Sequence, residues 1–225
     1  MHEHTISVPR TARYALLGPE EGPVDEVWMV AHGYGQLARY FARPFATIQA
    51  ERRLIAAPEA LHHFYLDDAH RRVGASWMTR EHRLAAISDY VGYLDAVFVG
   101  VCVRAHADPR TIRLVALGFS QGTATVSRWL DQSPLLATRA RRADWLLLWG
   151  SGLPHDLDLP NAAWLSEADL TLVVGEQDAY LTPERVAGQE TALREAAIPY
   201  RVVRYDGEHR IEPEVLRRLA EEPHA

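Results

Sequence analysis

Residues Gly118-Phe119-Ser120-Gln121-Gly122 constrain this chain more than any other stretch, because they match G-x-S-x-G and stand between a strand signal and a helix signal. Residues 111–117 are a short, apolar, β-branched-rich run with the pattern of a strand buried on both faces. Residues 123–130 are rich in small side chains and compatible with a helix. A chain that leaves a strand and enters a helix at once must strain its backbone at the turn, and both flanks pack so closely that glycine is favoured there. A serine at such a turn stands at a helix N-terminus, where unpaired N–H groups and the helix dipole favour negative charge. With 14 glycines and eight serines in 225 residues, about 0.03 matches are expected by chance. Ser120 is therefore read as a nucleophile.

A second turn of the same kind follows the apolar strand at residues 27–31, where His32-Gly33-Tyr34-Gly35-Gln36 carries two glycines that permit unusual backbone angles. In hydrolases built on a nucleophile elbow, such a loop gives one N–H of an oxyanion hole and the residue after the nucleophile gives the other. Those donors are expected on Tyr34 and Gln121. Two β-leaning stretches at 5–8 and 12–17 suit an antiparallel edge hairpin. Leu37, Tyr40, Phe41, Phe45 and Ile48 lie at helical spacing within 37–51, and a strand at 54–57 stops at Pro58. Residues 59–79 show no sustained period and are rich in aromatics, which reads as a substrate-facing flap with Phe64, Tyr65, Trp77 and Met78 lining a small apolar pocket. A long helix over 81–106 then leads into the elbow strand.

Past the elbow helix, strands are expected at 144–149, 170–174 and 200–205, the second ending in Gly175-Glu176-Gln177-Asp178 and the third in Asp206-Gly207-Glu208-His209. Ser151 reads as a turn residue, since it lacks the elbow pattern. Serine is a weak nucleophile at neutral pH and needs a base; an imidazole suits that role, and a carboxylate on its other nitrogen fixes the tautomer. The order Ser120, Asp178, His209 supplies nucleophile, acid and base. Glu176 competes for the acid role, and Asp178 is preferred because it lies further into its loop.

A length of 225 residues suits one domain over 1–225, and the net charge of -6 with a pI near 6.0 argues against a nucleic-acid surface. Arg139, Arg141 and Arg142 read as a solvated cluster. Cys102 has no partner for an internal disulfide. The N-terminus lacks the pattern of a signal peptide and no stretch of 18 apolar residues stands out, so no membrane partner and a soluble, cytoplasmic location are expected. His62, His63, Asp67, Asp68 and His70 match no metal-ligand spacing, so neither a metal nor another cofactor is expected. The oligomeric state is left open, a homodimer included.

Taken together, His32-Gly33-Tyr34-Gly35, Gly118-Phe119-Ser120-Gln121-Gly122, Ser151-Gly152-Leu153-Pro154, Gly175-Glu176-Gln177-Asp178 and Gly207-Glu208-His209 resemble the phospholipase/carboxylesterase group of the α/β-hydrolases, which includes small bacterial carboxylesterases and acyl-protein thioesterases. The resemblance spans nearly the whole chain. It implies an α/β-hydrolase fold, a mostly parallel central sheet with helices on both faces, and hydrolysis of small carboxylic esters through an acyl-enzyme; it selects Asp178 as the acid. Thioester or small-amide hydrolysis on the same triad is the alternative, and a non-catalytic ligand receptor on the same scaffold is the alternative of another class. Gly-Tyr-Gly-Gln in the first loop and Thr123 after the elbow depart from the group's commoner residues, and the segment from Phe64-Tyr65-Leu66 through Gly74-Ala75-Ser76-Trp77-Met78 resembles a subgroup of bacterial hydrolases rather than the acyl-protein thioesterases, which points away from protein depalmitoylation. Members that bind long lipids commonly carry a cap after the strand that follows the elbow helix. Here that interval is short and holds Pro154 and Pro160, so no cap domain is expected.

Overall fold

Apolar runs of four to seven residues are too short for stable helices and bury best side by side. They do so here in a seven-stranded sheet of order β1-β3-β2-β6-β7-β8-β9. The computed structural model describes residues 1–222, so the last three residues of the expected 1–225 domain lie outside the described ones. In chain order the strands are β1 (Tyr14–Leu17), β2 (Glu26–Ala31), β3 (Arg53–Pro58), β4 (His62–Tyr65), β5 (Val73–Ser76), β6 (Arg113–Phe119), β7 (Trp145–Trp149), β8 (Asp169–Gly175) and β9 (Arg201–Tyr205). The helices are α1 (Ala38–Phe41), α2 (Arg83–Arg104), α3 (Gln121–Gln132), α4 (Pro183–Glu195) and α5 (Pro213–Glu221). Every neighbouring pair in the large sheet is parallel except β1 with β3.

Side chains alternate across the strands, so each strand feeds two cores. Met29, Leu54, Ala116, Leu148 and Leu172 pack with α2, α3 and α4 on one face. Trp28, Ile55, Leu117, Trp149 and Val173 pack with α1 and α5 on the other. The mostly parallel sheet with helices on both faces is thus as expected. Between β7 and β8 the chain makes only two short 3₁₀ turns, Leu159–Asn161 and Ala163–Ser166, and no cap is inserted there.

Four local expectations are corrected. Residues 5–8 form no strand, and β1 pairs instead with β3, Tyr14 opposite Pro58. The helix expected over 37–51 is a four-residue α1 followed by a 3₁₀ turn, Arg43–Ile48, because Pro44 has no N–H to continue an α-helical ladder. The 59–79 flap contains an antiparallel hairpin, β4 with β5, in which His62 faces Ser76 and Tyr65 faces Val73. Helix α2 does have the length and apolar composition to cross a membrane, a stretch not anticipated; half of its most apolar 18-residue window is buried, and Ile87, Leu94, Phe98 and Val101 belong to the core on one face of the sheet.

Candidate active site

Ser120 joins β6 to α3 with φ 53° and ψ −116°, a region that non-glycine residues avoid. Its N–H donates to the Trp149 carbonyl at 2.9 Å, and its own carbonyl accepts from the Thr123 N–H at 3.1 Å and Thr123 Oγ1 at 2.8 Å. The flanking glycines provide space rather than unusual dihedrals. A Cβ on Gly118 would sit 2.4 Å from the Gly122 oxygen, and one on Gly122 would sit 2.0 Å from the Ala31 oxygen.

The parallel sheet carries the loops after β2, β6, β8 and β9 to one edge, where Asp178 bonds His209 and His209 packs on Phe119, the neighbour of Ser120; among the described residues no hydrogen bond joins Ser120 Oγ to His209. Asp178, whose side chain is 1% exposed, accepts from the Tyr180 and Leu181 N–H groups on Oδ1, at 2.8 and 3.0 Å. Its Oδ2 lies 2.6 Å from His209 Nδ1. A carboxylate can only accept, so Nδ1 carries the hydrogen and Nε2 is left as the basic ring nitrogen. The imidazole is held between Phe119 and Tyr180, with centroids at 4.8 and 4.7 Å. It also lies so close to Gly150 that a Cβ there would come within 3.0 Å of Cε1. His209 therefore rests on the residue before the nucleophile. Glu176 stands exposed at the strand end, and its side chain is not bonded to His209.

The loop after β2 reaches the same point. A Cβ on Gly33 would meet Ser120 Cβ at 3.2 Å, so this glycine marks a close approach, whereas Gly35 at φ 76° is the residue that uses glycine's conformational freedom. The Gly33 N–H donates to Gln36 Oε1 at 2.8 Å and the Gly35 N–H to the Ala75 carbonyl at 2.9 Å. Among the described residues no acceptor is bonded to the N–H of Tyr34 or of Gln121, the two amides expected to form an oxyanion hole. His32 underlies the loop. It is fully buried, donates Nδ1–H to the Gly33 carbonyl at 2.7 Å and accepts the Ala60 N–H on Nε2 at 3.0 Å. Burial lowers its pKa to about 4. Sequence reasoning assigned His32 no task, although its place directly before Gly33-Tyr34-Gly35 was the available signal.

By sequence the chain matches no described protein family and no curated protein. Solved structures are similar over almost their whole length. Esterase PE8 has a TM-score of 0.67 at 17% identity, covering 94% of this chain and 97% of that one. Zea mays acyl-protein thioesterase 2 has 0.69 at 14%, covering 94% and 97%. A carboxylesterase from Mesorhizobium loti has 0.67 at 18%, covering 94% and 95%. The chain has the α/β-hydrolase fold. At these identities the likeness is one of fold.

Within this fold the residues expected to bind substrate are dispersed. Phe64 stacks on Tyr34 at 4.9 Å, and Tyr65, 58% exposed, packs on His70 at the hairpin. Trp77 is corrected to a core residue: it is fully buried, donates Nε1–H to the His32 carbonyl at 2.8 Å and meets the Tyr90 ring edge-on. Met78 is half-buried, its carbonyl accepting from Gln121 Nε2 at 3.2 Å and its sulfur 3.6 Å from Arg128 Nη1. Behind it, Arg83 and Arg128 hold the Asp156 carboxyl well below the usual carboxylate range, against the opposing effect of burial.

A cleft of about 610 Å³ opens beside His209, between α1, the β4–β5 hairpin and residues 209–211. Its apolar wall includes Leu37, Phe41, Leu66 and Val73, and none of the four expected residues lines it. The helical spacing of Leu37 and Phe41 hid this role, because such a pattern reads as core. Of the histidines weighed for a metal, His63 is bonded to Glu59 at 2.8 Å, and among the described residues no three His, Cys, Asp or Glu side chains converge as a ligand set.

Proposed function

We propose that this protein is a serine hydrolase that cleaves small carboxylic esters through an acyl-enzyme on Ser120. The observation that carries the reading is the 2.6 Å bond from Asp178 to His209, on an imidazole packed over Phe119 next to a serine at φ 53°. As Ser120 Oγ attacks the ester carbonyl, its proton passes to His209 Nε2, and the Asp178 carboxylate stabilises the imidazolium without taking the proton. The oxyanion is met by the Tyr34 and Gln121 N–H groups at the positive end of α3. Collapse expels the alcohol, which takes the proton from His209. Water then attacks the acyl-enzyme by the same route and releases the acid. The Tyr34 and Gln121 amides, bonded to no acceptor among the described residues, and the Asp178 bond that fixes the hydrogen on His209 Nδ1 support this reading.

Ser120→Ala and His209→Ala are each expected to lower kcat on a p-nitrophenyl ester by a factor on the order of 10⁴ to 10⁶, and the double variant to be little worse than either, because the triad acts as a unit. Asp178→Asn is expected to cost about 10⁴, and more than Glu176→Gln. A fluorophosphonate should label Ser120 in the wild type. Undiminished turnover by Ser120→Ala, or additive losses in the double variant, would overturn the assignment.

A further inference from the structure

The cleft beside His209 is lined by four arginines, Arg39, Arg71, Arg72 and Arg210, and by no carboxylate. This runs against the balance of the chain, which carries 30 acidic residues to 24 basic ones. Elsewhere guanidinium groups are commonly spent on carboxylates: Arg13 on Glu59, Arg52 on Asp25, Arg53 on Glu26, Arg128 on Asp156. In the cleft only Arg210 has such a partner, Glu212 at 3.0 Å. The Arg39 guanidinium stacks on the Tyr40 ring at 4.7 Å, and no ion pair forms at Arg39, Arg71 or Arg72 among the described residues. Asp67 bonds the backbone N–H groups of Arg71 and Arg72, both at 3.0 Å, which fixes the hairpin end while leaving both guanidinium groups unneutralised.

Three unneutralised guanidinium groups in a concave, partly apolar wall raise the local positive potential, since low-dielectric surfaces focus the field. A guanidinium also presents a planar fork of donors that fits a carboxylate or phosphate. The catalytic imidazole is in the same wall. We infer that this cleft is a subsite for an anionic group of the substrate, so that the natural ester carries a carboxylate or phosphate on the part lying between α1 and the hairpin. The inference rests on the serine-hydrolase reading for its placement beside the reacting bond. It adds the substrate class, which that reading leaves unassigned.

Two pairs of esters test it. 4-Nitrophenyl hydrogen glutarate against 4-nitrophenyl valerate places a carboxylate on the acyl side, and 2-acetoxyethyl phosphate against 2-methoxyethyl acetate places a phosphate on the alcohol side. In at least one pair, kcat/KM for the anionic member is expected to exceed that of the neutral one by about tenfold or more, as complementary charge raises productive encounter. That ratio should fall severalfold in Arg39→Gln and in Arg72→Gln and shrink as sodium chloride rises from 20 to 500 mM, because exposed charges are screened. It should hold in Arg110→Gln, which removes a cation beyond the opposite end of β6. Ratios at or below one in both pairs, or a ratio lowered equally by Arg110→Gln, would overturn the subsite. Calorimetry with glutarate and with inorganic phosphate on Ser120→Ala reads binding without turnover. Binding lost in the added Arg39→Gln and Arg72→Gln changes supports the subsite even if no ester is hydrolysed, an outcome that would sink the hydrolase reading alone. No binding by either anion overturns the subsite even where neutral esters are cleaved.

Discussion

His32 is wholly buried, and its two ring nitrogens are committed to the Gly33 carbonyl and the Ala60 N–H, so it holds the loop after β2 as a neutral imidazole. Its pKa falls from 6.5 to about 4, chiefly through desolvation. Between those values the unfolded chain binds more protons than the folded one, so stability rises with pH across that window. The contribution is present in full above pH 6.5 and is lost as pH falls toward 4, a change of about 3 kcal/mol. Urea denaturation at pH 7.5 and pH 5 should therefore show the wild type losing about 2 kcal/mol more than His32→Asn, which has no titrating ring. An equal loss in both would assign the effect to other groups. At Ser120 local conformation and fold conflict: its φ of 53° costs on the order of 1–3 kcal/mol. The cost is tolerated because Trp149 and Thr123 bond both sides of its backbone.

The hairpin β4–β5 is the element that braces the loop after β2, the one proposed to meet the oxyanion. Gln36 and Ala75 form an antiparallel bridge, and a Cβ on Gly74 would sit 2.5 Å from the Gly35 oxygen, so hairpin and loop touch backbone to backbone. Gln121 clamps the far strand: its amide accepts from the Trp77 N–H at 3.2 Å and donates to Ser76 Oγ at 3.0 Å and to the Met78 carbonyl at 3.2 Å. Gln121→Ala should thus destabilise the hairpin locally by about 1–3 kcal/mol and lower kcat by about tenfold, since the Tyr34 N–H loses its backing. Hydrogen exchange is the check. Amides of β5 should exchange at least tenfold faster while those of β6 stay protected, and unaltered β5 exchange would remove the clamp from the argument. These contacts also mark where the sequence stops being legible. The elbow, Asp178 and His209 could be read because each follows a buried apolar strand, and strand ends are local signals. The hairpin could not, since Phe64 facing Gly74 and Tyr65 facing Val73 give no alternation of apolar and polar residues. Pro44 was visible, yet the apolar spacing around it outweighed a break that its missing N–H imposes.

At the scale of the whole molecule, the sheet gathers the proposed site at one edge with no cap inserted between β7 and β8, and this bears on how long a substrate can be. The 19 residues between β7 and β8 are the place where a cap would enter, and they form two short 3₁₀ turns instead. Among the described residues cover comes from the hairpin and α1, which with residues 209–211 enclose the cleft of about 610 Å³. Its lining mixes the apolar Leu37, Phe41, Leu66, Val73 and Ile211 with Arg39, Arg71 and Arg72, so its apolar surface is interrupted by cations. A neutral acyl chain gains about 0.8 kcal/mol per buried methylene, roughly fourfold in kcat/KM, while it lies on the apolar part. Once it reaches the guanidinium groups, each further methylene displaces water from a cation without replacing its hydrogen bonds, and the gain reverses. With p-nitrophenyl esters from acetate to palmitate, kcat/KM is expected to rise over the first few carbons and then decline. The decline should begin at longer chains in Arg39→Gln, where a neutral amide replaces one of the cations. A rate that climbs steadily to palmitate, or that jumps when the ester forms micelles, would mean that a long acyl channel or a moving cover exists which the interval between β7 and β8 does not contain.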